Sequence, residues 1–211
     1  MLRAIDELGI QKDEVVAVSG IGCFGRATGY LDFHTLHTTH GRALAFATGI
    51  KLMKPEMNVF VLMGDGDAAA IGGNHLIHAA RRDLDLISIV ANNSVYGMTG
   101  GQVSPTTPER ARTTTTPEGC KERPFDLCEL VMAAGASYVA RWTTAHPLQL
   151  KSSIKEAINH EGFSFIEVLS QCPTQFGRRN RMDHIQMLRK FKEETSLKGE
   201  EGKIRIGVFR R

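Results

Sequence analysis

Two nearly continuous apolar runs restrict the fold more than any other feature: NVFVLM at 58–63 and LISIVA at 86–91. The first is stopped by Gly64-Asp65-Gly66-Asp67 and the second by Asn92-Asn93. A strand that is apolar at nearly every position has both faces covered, as in a parallel sheet between two helix layers. Residues 67–82 between the runs read as a helix, and strand, helix and strand in that length make one right-handed βαβ unit. Asp65 and Asn93 then stand just beyond the carboxyl ends of two parallel strands, about 4.8 Å apart if the strands are neighbours. That edge is where ligands bind in open α/β sheets.

The same alternation runs along the chain. Residues 15–18 read as a strand, 41–54 as a helix that stops before Pro55, 125–134 as a helix and 137–141 as extended. A helix at 147–160, a strand at 163–169 and a final strand within 203–209 complete the pattern. The expected fold class is α/β, a mostly parallel sheet with helices on both faces. Two regions are expected: an α/β domain at 1–177 and a basic C-terminal extension at 178–211, packing on the domain or a partner subunit. That extension holds 11 Lys and Arg against 5 Asp and Glu. A solvated face or subunit contact explains such a bias better than nucleic acid does. The Thr- and Pro-rich stretch at 104–119 is long for a plain connection and reads as a functional lid or interface loop.

Composition narrows the class. With 42% apolar and 23% charged residues, the 211-residue chain is of ordinary globular type. It has no apolar run of about 18 residues, so no membrane span is expected. MLRAIDELGI lacks the shape of a signal peptide, and a cytoplasmic location is expected. The four cysteines, Cys23, Cys120, Cys128 and Cys172, form no C-x-x-C pair, and no disulfide framework is expected.

The residue types at the strand tips suit a magnesium diphosphate. Mg²⁺ takes six oxygens at about 2.0–2.1 Å, shared between protein and phosphate. Asp65 offers a carboxylate, Asn93 an amide oxygen, and Val95 in NNSVYG a carbonyl. Gly64 and Gly66 let the backbone come close, and amides opening the helix at Asp67 would face the phosphates.

A second glycine pattern, Gly20-Ile-Gly22-Cys-Phe-Gly25, matches G-x-G-x-x-G after the first strand. A dinucleotide site also needs a helix opening there and an acid about 20 residues on. The stretch TTHGRALAF at 38–46 holds no acid and Asp32 comes too early, so an NAD-binding Rossmann protein is the weaker alternative. His34, His37 and His40 form H-x2-H-x2-H, without a carboxylate or cysteine at zinc-ligand spacing.

GDG-x25-NN resembles the signature of thiamine-diphosphate enzymes. The wider set is SGIGCFGR, HTLHTTHGRALAFATGIKL, GDGDAAAIGGNHLIHAARR, NNSVYGMTGGQVSPTTPE and LSQCPTQFGRRN. Over about residues 1–195 it resembles the β subunit of 2-oxoacid:ferredoxin oxidoreductases, most of all the 2-oxoglutarate branch. The resemblance implies CoA-dependent oxidative decarboxylation of a 2-oxo acid, with electrons passed to ferredoxin. It implies thiamine diphosphate, Mg²⁺ and one [4Fe–4S] cluster as cofactors, and an α subunit that completes the site. It implies a cofactor site at Gly22, Cys23, His40, Gly64, Asp65, Gly66, Asp67, Asn93, Val95 and Gly97. Within it Asp65, Asn93 and Val95 hold Mg²⁺, and Cys23 and Cys172 ligate the cluster.

No catalytic residue is assigned in this chain alone. The glutamate that activates thiamine is expected on the α subunit, so the isolated chain should be inactive. In the family two more cluster ligands come from a C-x-x-C ahead of the first helix, and this sequence has none. The expectation is a chain truncated at its start, or a degenerate, non-catalytic subunit without an intact cluster. Cys128, within FDLCELVM, reads as a core residue and Cys120 as a bystander. Gly100 stands in YGMTGGQ where some relatives carry Lys.

Overall fold

The computed structural model describes residues 1–210. Helices α1 (Leu2–Glu7), α2 (Ala43–Met53), α3 (Gly73–Arg81), α4 (Leu127–Ala134), α5 (Pro147–Ile158) and α6 (His184–Glu193) surround the strands. The strands are β1 (Val15–Ser19), β2 (His34–His37), β3 (Asn58–Gly64), β4 (Ile87–Asn92), β5 (Val95–Tyr96), β6 (Gln102–Val103), β7 (Tyr138–Thr143), β8 (Ser164–Leu169), β9 (Thr195–Ser196), β10 (Ile204–Arg205) and β11 (Gly207–Arg210). The main sheet runs in the order β11-β7-β8-β4-β3-β1-β2. Its pairs are parallel except β11 with β7.

The nearly continuous apolar runs follow from what covers each face. Val59, Val61 and Met63 of β3 join a core with Ala47, Leu76, Leu127, Val131 and Phe165 on the α2–α3–α4 side. Phe60 and Leu62, pointing the other way, join Ile89, Tyr138, Trp142, Ile154 and Ile166 on the α1–α5 side. Successive side chains of a strand face opposite ways, so a strand with two cores is apolar at most positions. Each such Leu or Phe contributes roughly 1.5–3 kcal/mol on burial.

The helix ends are written locally. Lys54, ahead of Pro55, leaves the helical region at φ −137°, ψ 69°. Asp126 accepts the Glu129 amide at 2.9 Å to start α4, and Gly135 closes it in the left-handed conformation at φ 109°.

One expectation needs correction. Residues 67–82 are not one helix: a five-residue π-helical turn, Asp67–Ile71, leads through Gly72 into α3. Gly72 lies so close to that turn that a Cβ there would fall 2.3 Å from the Asp67 carbonyl oxygen. After the first glycine cluster the chain makes a 3₁₀ turn, Gly25–Tyr30, and then the edge strand β2, whose four residues are all exposed. The 178–211 segment carries β11 into the main sheet, with Gly207 opposite Arg141.

β1 connects to β2 on one side, while β3 lies on its other side. Strand order reverses there, and such a reversal opens a crevice at the carboxyl ends of the strands. A cleft of about 1100 Å³ lies at that edge, lined among others by Gly22, Cys23, His40, Asp65, Asn93 and Gly97. Among the described residues no helix is long and apolar enough to cross a membrane.

Candidate functional site

β3 and β4 are adjacent and parallel, with Gly64 opposite Ala91. Their tips therefore meet. The Asn93 amide nitrogen lies 3.4 Å from Asp65 Oδ1. The Asn93 side-chain oxygen accepts the Val95 amide at 3.2 Å, which folds the turn around Ser94 at φ 63°. Val95 is held in turn by β5–β6 pairing with Val103.

Asp65 is 2% exposed. Burial pushes its carboxyl above the usual range, against the pull of the Ser104 and Thr106 hydroxyls, and no charged side chain is among the groups that shift it. A buried carboxylate without a positive partner is costly. With Asn93 at the adjoining strand tip and both residues lining an open cleft, it has the chemistry of a site for a hard cation.

Asp67 sits one helical step away and is also 2% exposed. Its Oδ1 accepts the Gly41 amide at 2.5 Å and lies 3.1 Å from His40 Nδ1. Its buried Oδ2 has no hydrogen-bond partner among the described residues. Burial raises this carboxyl, opposed by the Gly41 amide and His40. His40 Nδ1 also lies 3.2 Å from the Ile21 carbonyl. Both of its partners are acceptors, so Nδ1 carries the proton and Nε2 is the nitrogen left for the cleft.

Two glycines are dictated by this packing. A Cβ at Gly20 would fall 2.0 Å from Asp67 Oδ2, and one at Gly66 would fall 2.3 Å from the Tyr96 ring.

Cys23 and Cys172 come from β1 and β8 ends far apart in sequence, and Gly97 lies between them. A Cβ at Gly97 would be 3.3 Å from the Cys23 sulfur and 3.5 Å from that of Cys172. Burial and the neighbouring Cys172 push the Cys23 thiol up. Cys128 lies elsewhere, 3.5 Å from Glu167 Oε2 and 3.8 Å from the Ala140 carbonyl oxygen. Cys120 is 3.7 Å from the Glu122 carbonyl oxygen. An iron–sulfur cube takes four thiolates, and the described residues bring two together, so they do not by themselves fit a complete [4Fe–4S] centre. The three spaced histidines also part company: His34 and His37 lie on β2, with His37 turned toward Ser19 and Thr28, while His40 faces Asp67.

Sequence reasoning missed a buried polar chain behind the site. Thr106 Oγ1 lies 2.7 Å from Asp65 Oδ2 and 2.9 Å from Asn92 Oδ1. Asn92 donates to Glu167 Oε1 at 2.7 Å, and Arg141 Nε donates to Glu167 Oε2 at 2.6 Å. The one available signal was a lone acid in SFIEVL and a lone base in YVARWT, which stand opposite each other on β8 and β7.

Residues 15–168 match the family model of the thiamine pyrophosphate enzyme, C-terminal TPP binding domain. The chain is 57% identical over 217 residues to the 2-oxoglutarate synthase subunit KorB of Methanothermobacter marburgensis, covering 98% of this chain and 76% of that one. It is 59% identical over 212 residues to the KorB subunit of Archaeoglobus fulgidus, covering 100% and 79%. The solved 2-oxoglutarate:ferredoxin oxidoreductase from Magnetococcus marinus, with 2-oxoglutarate, coenzyme A and succinyl-CoA bound, superposes with a TM-score of 0.91 at 33% identity over 99% of this chain and 75% of that one. A crevice at the strand-order reversal, an acid and a carboxamide at adjoining strand tips, and this level of identity lead to one conclusion: the chain belongs to the thiamine pyrophosphate enzymes, within the family of 2-oxoglutarate:ferredoxin oxidoreductase β subunits.

Proposed function

We propose that this chain is the β subunit of a 2-oxoglutarate:ferredoxin oxidoreductase that holds magnesium thiamine diphosphate in the cleft above β1, β3 and β4. The assembled enzyme would oxidatively decarboxylate 2-oxoglutarate, transfer the acyl group to coenzyme A and reduce ferredoxin. The observation that carries the reading is Asp65: a buried carboxylate with no positive partner, set against Asn93 at a cleft floor, in a chain of this family.

When bound, thiamine diphosphate supplies the electron sink that lets a 2-oxo acid lose carbon dioxide. This chain's residues do the holding and shaping. Asp65, Asn93 and the Val95 carbonyl would ligate Mg²⁺, and Gly64 and Gly66 admit the diphosphate to the backbone. Asp67 and the Ile21 carbonyl hold the His40 Nδ1–H, which leaves Nε2 as the ring nitrogen without a protein partner among the described residues. Leu62, Ile89, Val168 and Ile154 line the cleft with apolar surface, which keeps water from the reacting atoms.

Cys23 and Cys172 supply two thiolates for a cluster, and the other two must come from outside the described residues. That observation favours a second reading, a subunit that binds its α partner without an intact cluster. Iron and acid-labile sulfide analysis of the anaerobically assembled complex separates the two. The test of function is 2-oxoglutarate- and CoA-dependent ferredoxin reduction by that complex, with none from the isolated chain. An iron-loaded complex with no such reduction, or appreciable turnover by the chain alone, overturns the proposal.

A further inference from the structure

The stretch at 104–119 holds six threonines, and the structure gives them distinct partners. Thr107 Oγ1 donates to the Ser94 carbonyl at 2.6 Å, Thr114 Oγ1 donates to the Gly100 carbonyl at 2.5 Å, and Thr115 Oγ1 accepts the Val103 amide at 3.0 Å. Thr113 and Thr116 bond each other at 2.7 Å. These four contacts fold the loop. Thr106 is different, because its hydroxyl reaches the Asp65 carboxylate across 41 residues of sequence.

We propose that Thr106 is a positioning residue for the Asp65 carboxylate, and that through it the 104–119 loop sets the affinity of the cation site. This inference rests on the reading of Asp65 as the anionic ligand of that site.

The argument is geometric. A carboxylate on a short side chain can rotate about its terminal bond, which is broad and soft. Here Oδ1 faces the Asn93 amide and Oδ2 faces the Thr106 hydroxyl, from opposite sides. The Thr106 contact is the shorter of these two, at 2.7 Å against 3.4 Å, and the Ser104 hydroxyl acts on the same carboxylate beside it. Thr106 is itself held. It is 5% exposed, and its oxygen lies 2.9 Å from Asn92 Oδ1 and 3.2 Å from Ser104 Oγ.

Asn92 cannot turn, because its oxygen accepts the Ser94 amide at 3.0 Å and its nitrogen donates to Glu167. Glu167 is pinned by Arg141. The Thr106 hydroxyl carries one proton, and between Asp65 Oδ2 at 2.7 Å and Asn92 Oδ1 at 2.9 Å the carboxylate is the nearer and stronger acceptor. Groups that hold a ligand's orientation from behind contribute tenfold to a hundredfold in metal affinity.

The test uses the complex with the α subunit. The readout is the Mg²⁺ concentration that half-saturates thiamine diphosphate binding, measured by calorimetry, beside the melting temperature without metal. Thr106→Val should raise that concentration at least tenfold, and Thr106→Ser, which keeps the hydroxyl, should stay within threefold of the parent. Thr107→Val removes an equally buried loop hydroxyl that does not touch Asp65. It should stay within threefold even if it lowers the melting temperature as much as Thr106→Val does. If Thr106→Val does not assemble, Thr106→Ala must show the tenfold shift in its place.

Parent-like Mg²⁺ dependence in Thr106→Val or its Thr106→Ala substitute, or an equal shift in Thr107→Val, overturns the proposal. Asp65→Ala separates the two levels. If it leaves Mg²⁺-dependent binding intact, the site reading itself fails. If it abolishes binding while Thr106→Val does not shift it, only the positioning role fails.

Discussion

From the neighbouring strand tip, the Asn93 backbone N–H points at Asp65 Oδ1 across 3.4 Å, so the two residues are held together by the pairing of β3 with β4. Asp65 is 2% exposed, with amides and hydroxyls around it and no cationic side chain as its partner among the described residues. Sites built for a ligand are commonly poor for stability without it. Asp65→Asn keeps the shape and removes the buried charge. The metal-free complex should melt higher, by an amount on the order of 1 kcal/mol or a few degrees. Mg²⁺-dependent thiamine diphosphate binding should fall at least a hundredfold. Thermal melting and calorimetry on the same sample check both, and a variant that melts lower and still binds contradicts the account of the site.

Arg141 is nearly enclosed, donating to Glu167 and Asp126 and to the Arg205 carbonyl at the end of β10. Breaking a buried pair on one side leaves the other charge without compensation, at a cost of about 3–5 kcal/mol. Arg141→Met should therefore lower the melting temperature by roughly 10 °C. Arg141→Met combined with Glu167→Leu should recover part of that loss. Denaturant melts of the three proteins test it; a double variant worse than the sum of the single changes would show that the pair is not what holds this layer together.

Gly66 is where the backbone passes under the Tyr96 ring, with no room for a methyl group. Tyr96 in turn donates to the Gly66 carbonyl at 3.3 Å and lies 6.0 Å from the His40 ring. Gly66→Ala should displace Tyr96 and weaken thiamine diphosphate binding tenfold or more, while the sheet, whose pairing ends at Gly64, keeps its melting temperature within a few degrees. Unchanged binding would mean that the ring yields without cost.

Cys128 is 1% exposed, and burial, with Glu167 beside it, holds its thiol well above the usual thiol range. The thiolate is the reactive form, and raising the pH toward the ordinary thiol range does not produce it here. Native protein treated with iodoacetamide between pH 7 and pH 9 should stay unmodified at Cys128 by peptide mass spectrometry, and become modified there only on unfolding. Labelling at Cys128 that rises with pH in the native state would show that α4 opens.

The sequence carried most of the sheet and half of the site, for physical reasons that differ by element. β3 and β4 were legible because two cores leave a strand few polar positions, Ser88 of β4 being a buried one. The acid and carboxamide were legible because each interrupts such a run at its carboxyl end. β2 was not: HTLH has no apolar alternation, all four residues are exposed, and the strand exists only through pairing with β1. The helix expected over 67–82 broke because the Gly72-Gly73 pair allows a tight turn that a periodic pattern does not register. Thr106 was hidden among like neighbours, since a hydrogen bond spanning 41 residues leaves no local pattern. Arg141 and Glu167 were each visible as a charge in an apolar strand, and only the register of β7 with β8 makes them a pair.

The most direct measurement is anomalous scattering from the assembled complex crystallised with thiamine diphosphate and Mn²⁺ in place of Mg²⁺. A single peak within about 2.2 Å of an Asp65 carboxylate oxygen and of the Asn93 side-chain oxygen is the result expected for a hard cation on oxygen ligands. A peak away from these two residues, with thiamine diphosphate bound, would contradict the assignment of the site.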